Sequence, residues 1–240
     1  MTSALLPSVR LSWWGTAWLR GHVVSDQMVD GVVDDDAVHL VGGADGPEPL
    51  VLGLGRLRSA GVTGFGLALP VAGDPLGLGG PSGFNTAALA TGEAVVTTGV
   101  ALGLVPERVG ASVTWAEHAA ERRQVPDVGE ADRTLRSALL ETADELARLD
   151  VARWRPEVAD ELTDLRRPHP VEAPPGVPSR CLAMAGRGIQ ALTIVELALV
   201  DDGGAITAHE AERRRETLVP LERAGRRALV AACSPEAWPD

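Results

Sequence analysis

The chain has 240 residues, 45% of them hydrophobic, with 22 basic residues against 33 acidic ones and a net charge of -11. That length suffices for one large domain or two small ones, and the acidic balance disfavours nucleic acid, which asks for a basic footprint, and adsorption to anionic membrane. No uninterrupted apolar run reaches the roughly 18 to 20 residues of a bilayer span, and two cysteines, Cys181 and Cys233, cannot form a disulfide framework.

Charge is unevenly placed. Residues 1–120 hold 5 Arg and 11 acidic residues, and residues 121–240 hold 17 and 22. Glycine clusters before residue 110. This predicts an α+β protein, with a glycine-rich mixed α/β sheet region at 1–125 and a helical region at 126–240, as two domains or one integrated domain.

In chain order, Ser12–Arg20 is a candidate helix carrying Trp13, Trp14 and Trp18. Ser25 caps a second helix through Val33, ended by Asp34–Asp36, and Ala37–Val41 reads as a short strand. Leucines at 50, 54 and 57 predict a helix over Pro49–Ala60, with Gly61 as its stop. Val62–Val71 alternates as a strand does. A glycine-rich connection, Gly73–Asn85, leads to a short helix at Thr86–Thr91. Strands follow at Glu93–Thr98, Val100–Leu104 and Val109–Glu117.

In the second half, Asp127 with Glu130 starts a long helix, carried on by Leu135, Leu139, Leu146 and Leu149 to about Asp150. Pro156 opens another helix with Val158, Leu162 and Leu165 inward, and Arg167–Pro178, with five prolines, is a connector. Cys181–Val200 reads as a buried helix, and Asp201–Gly204 as a turn. Thr207 with Glu210 caps a final helix, which Pro220 should kink or restart. The last two long helices should pack as an antiparallel hairpin.

The glycine connection is the foremost site candidate. Exposed backbone N–H groups at the start of a helix suit an anion, with Asp74, Gly77, Gly79, Gly80, Ser82 and Asn85 as contacts. No Arg occurs from residue 59 to 107, so a positive partner would come from Arg56, Arg58 or Arg108. The segment is no P-loop, and Ser82 misses the Gly-x-Ser-x-Gly elbow by one position. The competing reading is a structural loop that packs Leu76, Leu78 and Phe84. Gly53-Leu54-Gly55 lacks the third glycine of a dinucleotide start, because Arg58 stands there.

Other candidates are weaker. His209-Glu210 begins a zinc-protease helix, but Arg213 replaces its second histidine. Glu117, His118 and Glu121 would meet on one helical face, and Asp34–Asp36 would attract a divalent cation unless it is a solvated helix end. Neither pattern predicts a metal, and no cofactor is implied. Arg213–Arg215 with Arg223, Arg226 and Arg227 form a basic concentration, balanced by Glu210 and Glu222 at helical spacing. Trp13, Trp14 and Trp18 read equally well as core or as an anchor for a protein partner or a second copy of the chain. Trp154 reads as a plug between helices. Cys181 and Cys233 read as small core residues rather than redox thiols.

Every basic residue is Arg, Lys and Tyr are absent, and Asn85 is the only Asn. That is the coding bias of a GC-rich genome. Gly73-Asp-Pro-Leu-Gly-Leu-Gly-Gly-Pro, Pro126-Asp-Val-Gly-Glu-Ala-Asp, Val151-Ala-Arg-Trp-Arg-Pro-Glu and Ala231-Ala-Cys-Ser-Pro-Glu-Ala-Trp-Pro resemble stretches of conserved hypothetical proteins of high-GC actinobacteria. The resemblance implies no activity. No complete nucleophile, metal or acid–base set appears in the sequence. The expectation is a non-catalytic interaction or regulatory protein; the alternative is a protein or enzyme binding an anionic small molecule at Gly73–Asn85. Met1–Pro7 has no basic n-region of a secretory signal, so the expected location is cytoplasmic.

Overall fold

The computed structural model describes residues 5–43, 46–148, 171–199 and 208–238. The chain divides into two compact units. One holds residues 1–125, 172–178 and 233–240, and the other holds 126–171 and 179–232. The fold class is α+β: a mixed sheet with helices, and a set of helices at the C-terminal end.

The first unit opens with a helical run: α1 (Pro7–Arg10), a π turn over Leu11–Gly15, and α2 (Thr16–Leu19). It starts earlier than the sequence suggests because Pro7 supplies the preset φ of a first helical turn. α3 spans Ser25–Val33. Ser25 does not cap it: its hydroxyl accepts the indole N–H of Trp18 at 3.1 Å. Then come β1 (Val38–Val41), β2 (Glu48–Pro49), α4 (Leu50–Ser59), β3 (Gly64–Ala68), α5 (Ser82–Thr91), β4 (Ala94–Thr98), β5 (Leu102–Val109) and β6 (Ser112–Ala119). Gly92 ends α5 in the left-handed region at φ 77°.

The sheet order is β2-β1-β6-β5-β4-β3. Only β1 and β6 run parallel, with Leu40 opposite Thr114, and the other pairs are antiparallel. Successive side chains point to opposite faces, which separates two apolar clusters. Val41, Phe65, Val95, Leu104, Val113 and Trp115 pack with Trp18, Met28, Leu50 and Leu54 of the helices. Ala68, Ala94, Val96 and Val105 pack with Phe84 and Ala88 of α5.

Two glycines let helices approach the sheet. A Cβ on Gly53 would lie 2.4 Å from the Val41 side chain, and one on Gly103 would lie 2.4 Å from the Phe84 ring. Gly53 and Gly55 are thus helix residues within α4, not a nucleotide turn. At the outer edge, the Leu67 N–H donates to Cys233 O at 3.1 Å, so the C-terminal segment covers β3.

In the second unit, α6 (Val128–Arg148) is capped by Asp127, whose carboxylate accepts the Glu130 N–H at 2.8 Å. α7 (Ser179–Leu199) and α8 (Ala208–Ala232) meet where a Cβ on Gly188 would lie 3.2 Å from Gly225 O and from Leu229, and one on Gly225 3.2 Å from Leu192. That descending pairing makes them antiparallel. α7 is long and apolar enough, by length and composition alone, to cross a membrane. Cys181, Met184, Ala185 and Ile194 on it are buried. Counting uninterrupted apolar runs overlooked it because Arg187 and glycines divide the stretch. α8 continues through Pro220 without restarting. Pro220 and Glu216, whose carbonyl loses its i→i−4 donor to the proline, both lie on the exposed side of the helix. The predicted Pro156 helix, Leu149, Trp154, the Asp201–Gly204 turn and the Thr207 cap lie outside the described residues.

Candidate functional site

The glycine segment continues from β3 and folds back on it. Val71 and Asp74 exchange backbone hydrogen bonds of 3.0 and 2.9 Å around Gly73, whose φ is +80°. Gly77, at φ +81°, lies against the strand: a Cβ there would stand 2.8 Å from Ala68 Cα and 2.9 Å from Leu67 O. A Cβ on Gly79 would stand 2.4 Å from Arg122 O. The Gly80 N–H donates to Asn85 Oδ1 at 3.1 Å, and Gly80 O accepts the Glu121 N–H at 2.9 Å. Leu76 and Phe84 are buried, Leu78 is half-buried, and Ser82 is exposed at the first position of α5. The glycines are therefore used by the chain itself, to bring one backbone against another.

A cation does reach this segment, but it is Arg123, a residue the sequence reading did not single out. Its side chain is only 3% exposed. Nη1 donates to Leu67 O and to Gly77 O (3.3 Å); Nη2 donates to Ser234 Oγ (2.9 Å) and Glu236 Oε1 (2.7 Å); Nε also reaches Glu236 at 3.0 Å. Burial pushes the guanidinium pKa down and Glu236 opposes that shift. One side chain ties together the β3 edge, the glycine segment and the C-terminal segment. Arg123 follows β6 in an irregular stretch, 46 residues from Gly77, and no periodicity marks it.

Arg56, Arg58 and Arg108 go elsewhere. Arg56 pairs with Glu48 (2.7 Å) and Glu117, and its pKa is raised, by the Glu117 hydrogen bond first. Arg108 reaches from the surface into a second, partly buried cluster. There Asp36 accepts from Arg10, from Arg108 Nη1 (2.8 Å) and from His39 Nε2 (2.9 Å). The Trp115 indole N–H donates to His39 Nδ1 at 3.2 Å, which fixes the proton of neutral His39 on Nε2. Both ring nitrogens are engaged and the side chain is fully buried, so this His–Asp pair is structural. Burial raises the Asp36 pKa, but hydrogen bonds from His39, Arg108 and Arg10 outweigh it and hold the value at about 2. Burial lowers the His39 pKa against the pull of Asp36. Asp36 is therefore not part of a solvated helix end.

The other candidates take ordinary places. Glu117 and His118 are neighbours on β6, not on a helix, so they point to opposite faces. Among the described residues no group of His, Cys, Asp and Glu could hold a metal ion. Trp13 and Trp18 are buried; Trp14 is half-buried, with its ring against Gly31. Cys181 and Cys233 are free and buried. Arg215 pairs with Glu212 and Arg226 with Glu222, while the side chains of His209, Glu210, Arg213 and Arg214 lie outside the described residues.

Arg58 instead reaches a cleft at the end of the sheet. The cavity measures about 580 Å³ and is lined by Arg20, Arg58, Gly61, Thr63, Thr98 and Glu236, among others. The Arg58 guanidinium lies 5.2 Å from the Trp18 ring centre, and that of Arg20 5.1 Å from the Trp238 ring centre. The Thr63 and Thr98 hydroxyls are 3.1 Å apart.

Known proteins carry the same sequence pattern. The chain is 30% identical to the uncharacterised protein Rv1486c of Mycobacterium tuberculosis, over 98% of this chain and 99% of that one. It is 27% identical to the uncharacterised protein ML1804 of Mycobacterium leprae, again over 98% and 99%. No solved structure matches. The description "Rv1486c-like protein, N-terminal domain" matches residues 8–131, and "Rv1486c-like protein, C-terminal domain" matches residues 129–230. The chain belongs to the Rv1486c-like family, which extends to mycobacterial relatives from high-GC actinobacteria.

Proposed function

We propose that this protein is a non-catalytic interaction or regulatory protein of the cytoplasm. One observation carries the reading: the glycine segment, the most ligand-like feature of the sequence, is filled by the protein's own backbone and side chains. Gly77 and Gly79 contact the chain too closely to admit even a Cβ. Leu76 and Phe84 are buried, and the Asn85 side-chain oxygen accepts the Gly80 N–H. The buried ionisable groups support the same reading, since Asp36, His39 and Arg123 are bound to one another or to backbone. Groups held this way make a rigid platform rather than a proton-transfer site. The partner is another protein or a second copy of this chain.

Affinity purification from the native host, with mass spectrometry of proteins and small molecules, tests this. The expected result is a specific protein partner at a fixed ratio, or a stable homo-oligomer. Turnover of a co-purified metabolite that is lost on changing one polar residue would overturn the proposal.

A further inference from the structure

We infer that the cleft at the end of the sheet binds an organic oxyanion, a small molecule carrying a phosphate or carboxylate group. The inference goes beyond the interaction reading and does not depend on it.

In a chain of net charge -11, arginines normally meet carboxylates. Arg10, Arg56, Arg108 and Arg123 of the first unit all do. Arg20, Arg58 and Arg122 do not: among the described residues none of the three has a carboxylate within ion-pair distance, and of these Arg20 and Arg58 line the same cavity. Each follows or closes a helix, α2 and α4, where a cation complements the last carbonyls. That accounts for each arginine separately. It does not account for both facing one cavity.

Each guanidinium is also propped on an indole, Arg58 on Trp18 and Arg20 on Trp238. A stacked guanidinium keeps its N–H fork free for a planar or tetrahedral oxyanion. The one carboxylate in the lining, Glu236, is neutralised by Arg123. The Thr63–Thr98 hydroxyl pair has one hydrogen not used between the two oxygens, a further donor. The cavity is of the size that takes small organic ligands, roughly 300 to 1,000 Å³, rather than a bare ion alone.

The test is tryptophan fluorescence titration of the full-length protein, because Trp18 and Trp238 lie under the two guanidiniums. The probes are inorganic phosphate, glucose 6-phosphate and citrate, each against sodium chloride at matched ionic strength. Saturable emission changes with at least one of these oxyanions, absent with chloride, are expected. Arg20→Gln and Arg58→Gln should each weaken that binding about tenfold or more, the usual cost of one charge-assisted contact. Thr98→Val, tested in parallel, should weaken it by a smaller factor. A response to glucose 6-phosphate and not to citrate assigns a phosphate ester, and the reverse assigns a carboxylate. Absence of saturable binding by all three probes, or binding unchanged in both arginine variants, overturns the inference. Partner capture by the Arg20→Gln, Arg58→Gln double variant separates this outcome from the interaction reading, which predicts that capture persists.

Discussion

Arg123 and Arg58 are the same side chain put to opposite uses. Arg123 lies inside the first unit with its donors on Leu67 O, Gly77 O, Ser234 and Glu236. Arg58 is exposed, rests on one indole and meets no carboxylate among the described residues. The difference is in the backbone around them. Beside Arg123, Gly66 leaves out a Cβ that would lie 1.8 Å from its Nη2. Around Arg58, helix ends and turns leave a cavity. A buried cation needs its partners built in, whereas an exposed cation at a cleft is open to a partner from outside.

The largest effect should follow from breaking the buried member. Arg123→Met leaves Glu236 without its cation and removes donors from two buried carbonyls. A loss of roughly 2–4 kcal/mol is expected, mainly from the two buried carbonyls left without donors, because Glu236 lines the cleft and keeps access to water. Arg123→Lys keeps the charge but not the fork, and should recover only part of that loss. Urea unfolding followed by far-UV circular dichroism measures both. A midpoint for Arg123→Met equal to wild type would show that the guanidinium is not what ties the segment down.

Next come the glycines that let the segment reach Arg123. Gly77 and Gly73 share nearly the same φ, +81° and +80°. A Cβ on Gly77 meets backbone at 2.8 Å, whereas nothing lies within 4 Å of one on Gly73. Gly73→Ala should therefore cost only the left-handed penalty, about 1–2 kcal/mol. Gly77→Ala should cost that plus the displacement of the segment from Ala68. Equal losses for the two variants would mean that backbone conformation, rather than close approach, is what the segment requires.

Much of this was legible in the sequence, and the remainder has a physical cause. Patterns of local period gave the helix at Leu50–Ser59, the strand about Phe65 and the Asp127 cap, because those signals lie within one or two turns of chain. The burial of Leu76 and Phe84 fitted the competing structural-loop reading. Arg123 was not legible: its partners stand at separations of 46 to 113 residues, and only folding brings them together. The same holds for Asp36, which reads locally as one of three aspartates at a helix end. Folding gives it Arg10, His39 and Arg108. Glu117 and His118 failed as a helical pair for a different reason: β6 extends to Ala119, and a strand reverses every second side chain.

A smaller effect concerns pH. His39 has a folded pKa below its unfolded value of 6.5, so its contribution is present above pH 6.5 and is lost as pH falls toward the folded value. Asp36 has a folded pKa of about 2 against 3.8, so its contribution is present above about pH 4 and is lost between there and pH 2. Glu93 has the opposite sign. Burial raises its pKa despite two hydrogen bonds from Ser8, so its contribution is present below 4.5 and is lost as pH rises through the folded value. Thermal melts from pH 7 to 4 should therefore show Glu93→Gln gaining on wild type at pH 7 and losing that advantage toward pH 4. An advantage that instead grew on acidification would place the charged form of Glu93 among the stabilising groups.

The smallest effect sharpens the opening comparison most. Arg58→Gln and Arg20→Gln each remove one stacked guanidinium from a solvated rim. An exposed cation–π contact contributes about 0.5–1 kcal/mol, so the loss of stability in each variant should not exceed about 1 kcal/mol. Equilibrium unfolding alongside Arg123→Met checks this directly. If Arg58→Gln destabilised the protein as much as Arg123→Met, Arg58 would be a structural arginine held by Trp18, and the cleft would lose its free cation. A small loss of stability joined to a large loss of oxyanion binding would separate the two arginines by role: one holds the fold closed, and the other is left available to a ligand.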